Sequence, residues 1–405
     1  MRKEHVKNTL RYYIVIVIAL SFLFFTGDFG LIDVQKTAII MAVGVDREED
    51  GGFIVSSQIA IPKSSQQGKQ TETVLLVSKG KTVAEAFKET NAKTGWYPKL
   101  VFCRLIVLGE SALKRNAFEG LDFFSLNEYM SDDCLLAACD GAASELLSAD
   151  PVIDSTGSVA IQKILSTHAN RVGTVLPTTL REFSIGYYSD SKSGYLPVIK
   201  KEAQKEVGQQ KQDNGTQKTA TSGGEGMREE GGNAEDKPVF SAGETELIYN
   251  GVRVGRFSRE ETYAFNAVRK QLQLASYTVE KEDSTCTLSV KQSSGKMKVK
   301  REGADRLVVE IEVTLTAGLL DYSKALPLLE GKDVGDVPKG VFVTAEERLK
   351  TQILSAFEKC RACGCDLFGV TEHLQKYNRQ DYEKAKDTAL QNTSAKVSVK
   401  FLNVR

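Results

Sequence analysis

Three cysteines near the C-terminal end of the chain are the side chains best suited to chemistry. Cys360, Cys363 and Cys365 lie within EKCRACGCD, a spacing at which thiolates can hold zinc or act as nucleophiles. A structural zinc site needs four ligands, so His373 or a distant cysteine would have to complete it. Cys360 also falls on an apolar stripe of a predicted helix. We therefore interpret the three thiols as structural, with a metal site or a thiol-dependent enzyme as the alternatives.

Other polar groups do not form a catalytic set in the sequence. His168 and His373 fall in different predicted domains, and neither lies near a nucleophile motif. Asp132, Asp133 and the acidic residues 48–50 are typical of solvated turns. The stretch TSGGEGMREEGG lacks the Gly-Lys-Ser/Thr that ends a phosphate-binding loop. We assign no catalytic, cofactor-binding or metal-ligating residue, expect no cofactor, and predict that the protein is not an enzyme.

Charge and cysteine content narrow the class of protein. The 405 residues carry 53 basic and 53 acidic side chains, so no overall field favours nucleic acid as a partner. Seven cysteines are too few for a disulfide scaffold of this length, and their odd number leaves at least one unpaired. The basic stretch KQSSGKMKVKR, residues 291–301, would either face anionic lipid or, as we favour, form a solvated strand face.

The N-terminal residues predict attachment to a membrane. Residues 1–11 are basic and YYIVIVIALSFLFFT, residues 12–26, is free of charge, a pattern typical of an export signal whose basic end stays in the cytoplasm. No small-residue cleavage site precedes Gly27, and Asp28 offers no thiol for a lipid. We predict an uncleaved signal anchor, a transmembrane helix over residues 1–27, with the bulk of the chain extracytoplasmic. A cleaved signal and a buried core helix are the alternatives.

Composition divides the rest of the chain. Residues 203–237 contain only Val207 and Met227 as large apolar side chains, so this stretch cannot bury enough surface to offset its ordering entropy. We predict a flexible linker over residues 201–237, between an N-terminal domain at 33–200 that is open to subdivision and a C-terminal domain at 238–405. Strands and helices mix in both parts, which favours an α+β, multi-domain fold. Each domain should hold a mixed or antiparallel sheet flanked by helices.

Strands alternate with helices in the first part of the chain. TAIIMAVGVD and GFIVSSQIAIP predict strands around an acidic turn, and ETVLLVSKGKT predicts a third. TVAEAFKETNAKTG predicts a helix with a Thr82–Glu85 capping box that ends at Gly95. KLVFCRLIVLGE predicts a strand buried on both faces, because its centre is almost continuously apolar. SALKRNAFEGLDFFSLNEYM and SVAIQKILSTHAN predict helices, with CLLAACDG as a strand between them.

The second part opens with a predicted hairpin. Asn250-Gly251, between ELIY and VRVGRF, is typical of a type I′ turn, and Ser258 with Glu261 forms a capping box that starts a helix. TCTLSVKQ, GKMKVKRE and LVVEIEVTLTAGLL predict three strands, and SAKVSVKFLNV predicts a terminal one. TAEERLKTQILSAFEKCRA predicts a helix between them. The apolar stripe of that helix contains Leu349, Ile353, Phe357 and Cys360.

Several of these stretches resemble the Ger(x)C family, the C subunits of spore nutrient-germinant receptors. DVQKTAIIMAVGVD resembles the family's first strand, and GKTVAEAFKET followed by KLVFCRLIVLGESALKRN resembles its next helix and strand. VFSAGETELIYNGVRVGRFSREETYAF has the family's spaced glycines and Glu-Thr pair. KCRACGCDLFGVTEHLQKY resembles its most specific signature, Gly-x-Asp-apolar-Phe-Gly-apolar-x-Glu-x-Leu. The matching positions are Gly44, Val45, Asp46, Gly243, Gly251, Gly255, Glu261, Thr262, Gly364, Asp366, Phe368, Gly369, Glu372 and Leu374.

The resemblance covers residues 33–402 and departs from the family at the N-terminus. Asp28 stands where members have a lipid-bearing cysteine, Phe29 where they have tryptophan, and Gly30 where they have an acid, so a retained helix would replace the lipid anchor. The resemblance implies a non-enzymatic, membrane-anchored, extracytoplasmic subunit of a spore germinant receptor complex, needed for the response to nutrients. Its partners would be the A and B membrane subunits at the spore inner membrane. The alternative is a membrane-tethered extracytoplasmic protein that binds a small molecule.

Overall fold

Two sheets flanked by helices make up the described part of the molecule. The structure is a computed structural model that describes residues 12–20, 37–61, 72–151, 154, 156–166, 169–202, 238–281, 284–302, 306–323, 337–338, 340–386 and 388–404. A ten-stranded sheet and a four-stranded sheet, both mixed, lie within these ranges. The expected α+β fold of several domains is therefore confirmed.

The N-terminal helix, α1, covers residues 12–20, and all of its side chains are exposed. Among the helices within the described ranges, none is both long and apolar enough to cross a membrane. The other residues of the predicted span, 1–11 and 21–27, lie outside the described residues, as does Asp28. The signal anchor stays a prediction.

The first sheet has a parallel centre, with two antiparallel strands on one side of it and an antiparallel hairpin on the other. Its strand order is β10-β9-β8-β6-β5-β1-β2-β3, with β4 beside β1 and β7 beside β6. Strands β1, β5, β6 and β8 run parallel to one another. The strands are β1 (Thr37–Arg47), β2 (Phe53–Ile61), β3 (Glu72–Gly80), β4 (Tyr97–Lys99), β5 (Leu105–Leu108), β6 (Leu135–Cys139), β7 (Thr178–Thr179), β8 (Ser193–Glu202), β9 (Val239–Tyr249) and β10 (Val252–Phe257).

Helices cover both faces of this sheet. They are α2 (Val83–Thr94), α3 (Glu110–Leu113), α4 (Phe118–Ser125), α5 (Ala143–Leu147), α6 (Gly157–Ile164), α7 (Ala169–Val172) and α8 (Leu180–Tyr188). The continuous apolar run of β5 confirms the expected burial on both sides. Ile106 and Leu108 belong to the core under α2 and α4, whereas Leu105 and Val107 belong to the core under α5 and α6. A parallel strand with helices above and below has no polar face.

The second sheet packs one face against helices from the C-terminal part of the chain. Its strands follow the order β11-β12-β13-β14, and β14 runs parallel to β13. They are β11 (Ala275–Lys281), β12 (Ser284–Glu302), β13 (Arg306–Tyr322) and β14 (Thr393–Asn403), and the helices are α9 (Arg259–Val268), α10 (Val341–Cys363), α11 (Val370–Tyr377) and α12 (Arg379–Ala385). The predicted stripe of α10 is confirmed, because Leu349, Ile353, Phe357 and Cys360 are all fully buried.

Most of the residues predicted to form a turn or to cap a helix do so in the structure. Asn250 and Gly251 have φ angles of 50° and 80°, as a type I′ turn requires, and Ser258 with Glu261 forms a complete capping box. Gly95 ends α2 with a φ of 69°. The predicted box at Thr82 is only half formed. Thr82 caps Glu85 N, but the Glu85 carboxylate accepts a bond from Lys81 N at 2.7 Å instead of from Thr82 N.

Four predicted elements differ from the observed ones. TCTLSVKQ and GKMKVKRE form one strand, β12, because Gly295 does not turn the chain: a Cβ there would lie 2.5 Å from the Val268 carbonyl oxygen at the end of α9. The helix predicted over SALKRNAFEGLDFFSLNEYM is split into α3 and α4, where Asn116 Oδ1 accepts from Phe118 N at 3.0 Å. The strand predicted from KLVFCRLIVLGE shortens to β5, because residues 101–102 form a turn before it.

Strands β8 and β9 connect the two predicted domains directly. They pair antiparallel over ten residue pairs, from Ser193 with Tyr249 to Glu202 with Val239. The chain therefore leaves the first sheet at Glu202 and returns to it at Val239, which is the partner of Glu202; residues 203–237 lie outside the described residues. The predicted boundary at 238 falls inside one sheet, because composition shows which residues cannot be buried and not which strands pair across them. The division of the chain into domains remains a prediction.

Cleavage of the chain between Gly223 and Gly224 should not separate its two parts. An engineered protease site at this position leaves the pairing of β8 with β9 intact, and the hydrogen bonds and shared core hold the fragments together. We expect the cleaved protein to elute in native size-exclusion chromatography at the volume of the uncleaved control, and to separate only in denaturant. Two fragments that elute apart under native conditions would contradict the observed pairing.

Candidate functional site

The cysteines near the end of α10 lie in the protein core. Cys360 and Cys365 are fully buried, Cys363 is half-buried, and all three are free thiols. Burial raises the pKa of each thiol, and the thiolate is the form that binds metals and attacks electrophiles. Across the described ranges, no group of three or more His, Cys, Asp or Glu side chains could hold a metal ion. The thiols therefore act here as packing groups.

The other polar candidates lie apart from one another. His168 falls outside the described residues. His373, on α11, has its ring centroid 4.7 Å from that of Tyr377, and burial lowers its pKa. Asp132 and Asp133 are exposed in the turn that precedes β6. Residues 48–50 form the turn between β1 and β2, where Glu48 pairs with Lys79. The structure brings none of these groups together.

The basic stretch at residues 291–301 forms part of the open face of the second sheet. Lys296, Lys298 and Lys300 are exposed along β12, and the residues opposite Lys296 and Lys298 on β13 are Glu312 and Glu310. Lys300 Nζ lies 2.6 Å from a Glu310 carboxylate oxygen. Because carboxylates alternate with the lysines, this surface is a solvated strand face of mixed charge.

A buried aspartate connects the ends of three parallel strands. Asp46 lies near the end of β1, and its carboxylate accepts from Ala143 N at 3.0 Å and from Ser111 Oγ at 3.3 Å. Ala143 starts α5 after β6, and Ser111 lies in α3 after β5. Burial raises the pKa of Asp46, and these hydrogen bonds oppose the rise. Gly109 leaves the required space, since a Cβ there would lie 1.7 Å from Asp46 Oδ1.

An open depression of about 600 Å³ lies above this aspartate, at the edge where the parallel strands end. Ligands of α/β sheets commonly bind at such an edge. Most of the charged groups on its wall already have a protein partner, however. Glu110 contacts Lys114 at 3.2 Å and Arg253 at 3.4 Å, and Lys114 lowers the pKa of Glu110. Arg47 pairs with Glu119, and Arg115 donates to the Glu49 carbonyl at 2.7 Å.

Two arginines of β10 extend this charge network across the first sheet. Arg256 contacts Asp140 at 2.6 Å and Glu244 at 3.0 Å, and both Arg256 and Arg253 contact the buried carboxylate of Glu246. The hydrogen bond from Arg256 lowers the pKa of Asp140. The network fixes the β9–β10 hairpin against the loop after β6. Its role is structural, because both guanidinium groups are paired with carboxylates of the protein.

The two sheets share one core around Phe265 of α9. This side chain is fully buried, and its ring centroid lies 6.4 Å from that of Tyr195 on β8 and 5.7 Å from that of Phe257 on β10. On its other side it contacts Phe368, at 5.2 Å between ring centroids. We call Phe265, Tyr195, Phe257 and the turn at residues 364–369 the joint.

The turn of the joint contains the signature that is most specific in the sequence. Gly364 ends α10 with a φ of 72°, and Gly369 precedes α11 with a φ of 68°, a region that glycine adopts at little cost. Between them, the Asp366 carboxylate accepts from Val370 N at 2.9 Å and from Thr371 N at 2.8 Å. These bonds satisfy free amide groups at the start of α11.

The same turn contacts the first sheet directly. Asp366 N donates to Ser193 Oγ of β8 at 2.8 Å, and Cys365 Sγ lies 3.3 Å from the Ile248 carbonyl oxygen of β9. The spacing of the signature could be found in the sequence, but its contacts with Ser193 and Ile248 could not. Nothing local to either residue indicates a partner more than a hundred positions away.

An ion pair connects α9 with α10 next to the joint. The Glu261 carboxylate accepts from Ser258 N at 2.8 Å, from Ser355 Oγ at 2.7 Å and from Lys359 Nζ. Burial opposes ionisation of Glu261, but these hydrogen bonds outweigh it and lower the pKa of the carboxyl group. Glu261 therefore caps its own helix and also binds the neighbouring one.

Comparison with known proteins places both parts of the chain in one family. Residues 31–201 match the family described as the spore germination protein N-terminal domain, and residues 244–403 match the one described as spore germination B3/GerAC like, C-terminal. The crystal structure of the GerBC protein has the same fold, with a TM-score of 0.51 at 16% sequence identity, and the match covers 90% of this chain and 97% of that chain. No curated protein matches the chain.

The Glu261 contacts predict a pH-dependent loss of stability. Because its folded pKa is lowered, the carboxylate stabilises the fold above its unfolded pKa of about 4.3, and this contribution is lost as the pH falls through the folded pKa. We expect Glu261→Gln to lower the free energy of unfolding at neutral pH by about 1–3 kcal/mol. The difference in the free energy of unfolding between the variant and the wild type should become smaller in acid. Urea unfolding at neutral and at acidic pH measures it.

Glu358→Gln is the matched control, since Glu358 lies on α10 and pairs with Arg361 while exposed. Such surface pairs are worth at most about 1 kcal/mol. An equal effect of the two substitutions at neutral pH would contradict the structural role of Glu261.

Proposed function

Because the chain belongs to the Ger(x)C family of spore germination proteins, we propose that it acts as the membrane-anchored C subunit of a nutrient-germinant receptor. The bulk of the chain lies outside the cytoplasm, and the A and B membrane subunits are its partners. The observation that carries this proposal is that both family domains occur in order across the chain, at residues 31–201 and 244–403.

The chemistry of the described residues supports a role without catalysis. The cysteine thiols are buried with raised pKa values, and the Glu110 carboxylate at the open depression is paired with Lys114 and Arg253. Catalytic groups commonly have a pKa adjusted toward neutral pH and reach their substrate from a cleft. Here ion pairs lower the pKa of carboxyl groups, and burial raises the pKa of thiols so that they stay protonated. A binding and coupling role therefore fits better than catalysis.

The N-terminal sequence supports membrane anchoring. Four basic residues precede the uncharged run at residues 12–26, and such a segment holds the protein with its basic end in the cytoplasm. Confinement to a membrane raises the effective concentration of the subunit near its membrane partners. A retained helix would thereby replace the lipid anchor, for which Asp28 offers no thiol.

The joint supports a coupling role. Phe265, Tyr195 and Phe257 put side chains from both sheets into one core, so a partner that binds one sheet also acts on the position of the other. The alternative role, capture of a small molecule, fits less well, because most charged groups that line the depression at the end of the parallel strands already have a protein partner.

Germination of spores tests the proposal. In a strain with no other germinant receptor, we expect deletion of the gene to abolish the response to at least one nutrient and the wild-type gene to restore it. A variant with Cys360→Ala, Cys363→Ala and Cys365→Ala should restore it as well, because no thiol chemistry is involved. The measurement is loss of optical density after addition of nutrients, with the amount of each protein in spore membranes compared by immunoblot.

Two outcomes would contradict the proposal. A normal response of the deletion strain to every nutrient would exclude a receptor role. A cysteine variant that is present in the membrane at wild-type level yet does not respond would indicate thiol chemistry. The intact mass of the membrane-bound protein shows whether residues 1–27 have been cleaved off, and we expect them to be retained.

A further inference from the structure

An exposed apolar surface lies at the edge of the first sheet where the parallel strands begin. Two segments form it. One is β4 with the loop that leads from it into β5, and the other is the loop that leads from α4 into β6. Their large apolar side chains are 42% to 78% exposed. We call this surface the apolar edge, and it consists of Tyr97, Val101, Phe102, Leu126 and Tyr129.

The two loops of the apolar edge are held side by side. Leu135 N donates to the Arg104 carbonyl at 3.0 Å, and the buried side chains of Cys103 and Cys134, one from each loop, belong to the same core. Leu100 and Met130 anchor the loops in the core below. The exposed side chains are therefore presented together on a fixed support.

The chain enters the folded part of the protein at this same edge. β1 begins at Thr37, which pairs with Tyr97 of the apolar edge. If the predicted membrane span ends at residue 27, the nine residues at 28–36 can reach roughly 30 Å at most. β1 itself is 11 residues long, or about 35 Å. The apolar edge is thus the end of the sheet that the tether holds near the membrane.

We propose that the apolar edge inserts its side chains into the headgroup layer of the lipid bilayer, which orients the extracytoplasmic part of the protein. This inference rests on the membrane attachment proposed above. Tyrosine and other aromatic side chains favour the membrane interface, where an apolar ring and a polar tip are both satisfied. The two segments carry Lys99 and Arg104 against Glu128, Asp132 and Asp133, so the apolar side chains, and not a net positive charge, carry the contact.

The only tryptophan of the chain provides a native probe. Trp96 lies next to Tyr97 and is half-buried. We would reconstitute the full chain into phosphatidylcholine and phosphatidylglycerol vesicles that contain phosphatidylcholine brominated on its acyl chains, and measure tryptophan emission. The proposal predicts that brominated lipid removes most of the Trp96 emission, and that added salt does not restore it.

A probe at the opposite edge is the first control. Glu49 is exposed in the turn after β1, so Glu49→Trp in a Trp96→Phe background moves the only indole about 35 Å along the strand direction. Its emission should not respond to brominated lipid. Equal quenching of both probes would overturn the proposal, because it would show no preferred orientation.

Removal of the apolar side chains is the second control. Phe102→Ser with Tyr129→Ser should restore the Trp96 emission. Tyr188→Ser with Tyr377→Ser, which removes two aromatic side chains of similar exposure elsewhere, should leave the quenching unchanged. Identical quenching in the two double variants would contradict a role for the apolar edge.

The failures of the two proposals are distinguishable. If the protein sediments with the vesicles but Trp96 is not quenched, attachment stands and the apolar edge does not contact lipid, as would be the case if a protein partner or residues 21–36 covered it. If the protein does not sediment with the vesicles, the membrane attachment fails and this inference fails with it.

Discussion

The shared core around Phe265 is the constraint on which the rest of the structure depends. A helix that belongs to the second sheet places this ring between Tyr195 and Phe257 of the first sheet and Phe368 of the signature turn. Burial of an aromatic side chain on all sides contributes several kcal/mol. The turn at residues 364–369 adds polar contacts from Asp366 to Ser193. The two sheets are therefore joined by a shared core as well as by the continuous chain.

Local signals in the sequence predict the elements that are determined locally. Ser258 with Glu261, Asn250 with Gly251, and the buried stripe of α10 all act over four residues or a few turns, and all three are confirmed. Gly295 shows the limit of such signals. It resembles a turn residue, yet its role is to admit the end of α9 against β12. Helix α8 does have a local signal, a complete capping box from Thr179 to Glu182, whereas the two-residue strand β7 is fixed only by its pairing with β6.

The polar groups show the same limit more clearly. Sequence patterns direct attention to cysteines and acidic pairs, whereas the structure gives the organising role to Asp46, whose partners Ser111 and Ala143 lie 65 and 97 positions away. Family resemblance does include Asp46 and Asp366, and the structure explains why these positions matter. The Asp46 carboxylate joins the ends of three strands, and the Asp366 carboxylate caps α11 in the turn whose backbone contacts the first sheet. Neither role requires a substrate, which agrees with the coupling role that we propose for this chain.

Hydrogen exchange in a Phe265→Ala variant tests the shared core most directly. The substitution is expected to cost about 3–5 kcal/mol, and exchange measured by mass spectrometry on the full chain locates its effect. If the joint couples the sheets, exchange should become faster in β8, β9 and β10 as well as in α9 and β12. Leu390→Ala, a core substitution at the far end of the second sheet, should act on that sheet first and serves as the control. Faster exchange confined to the second sheet in the Phe265→Ala protein would contradict the coupling.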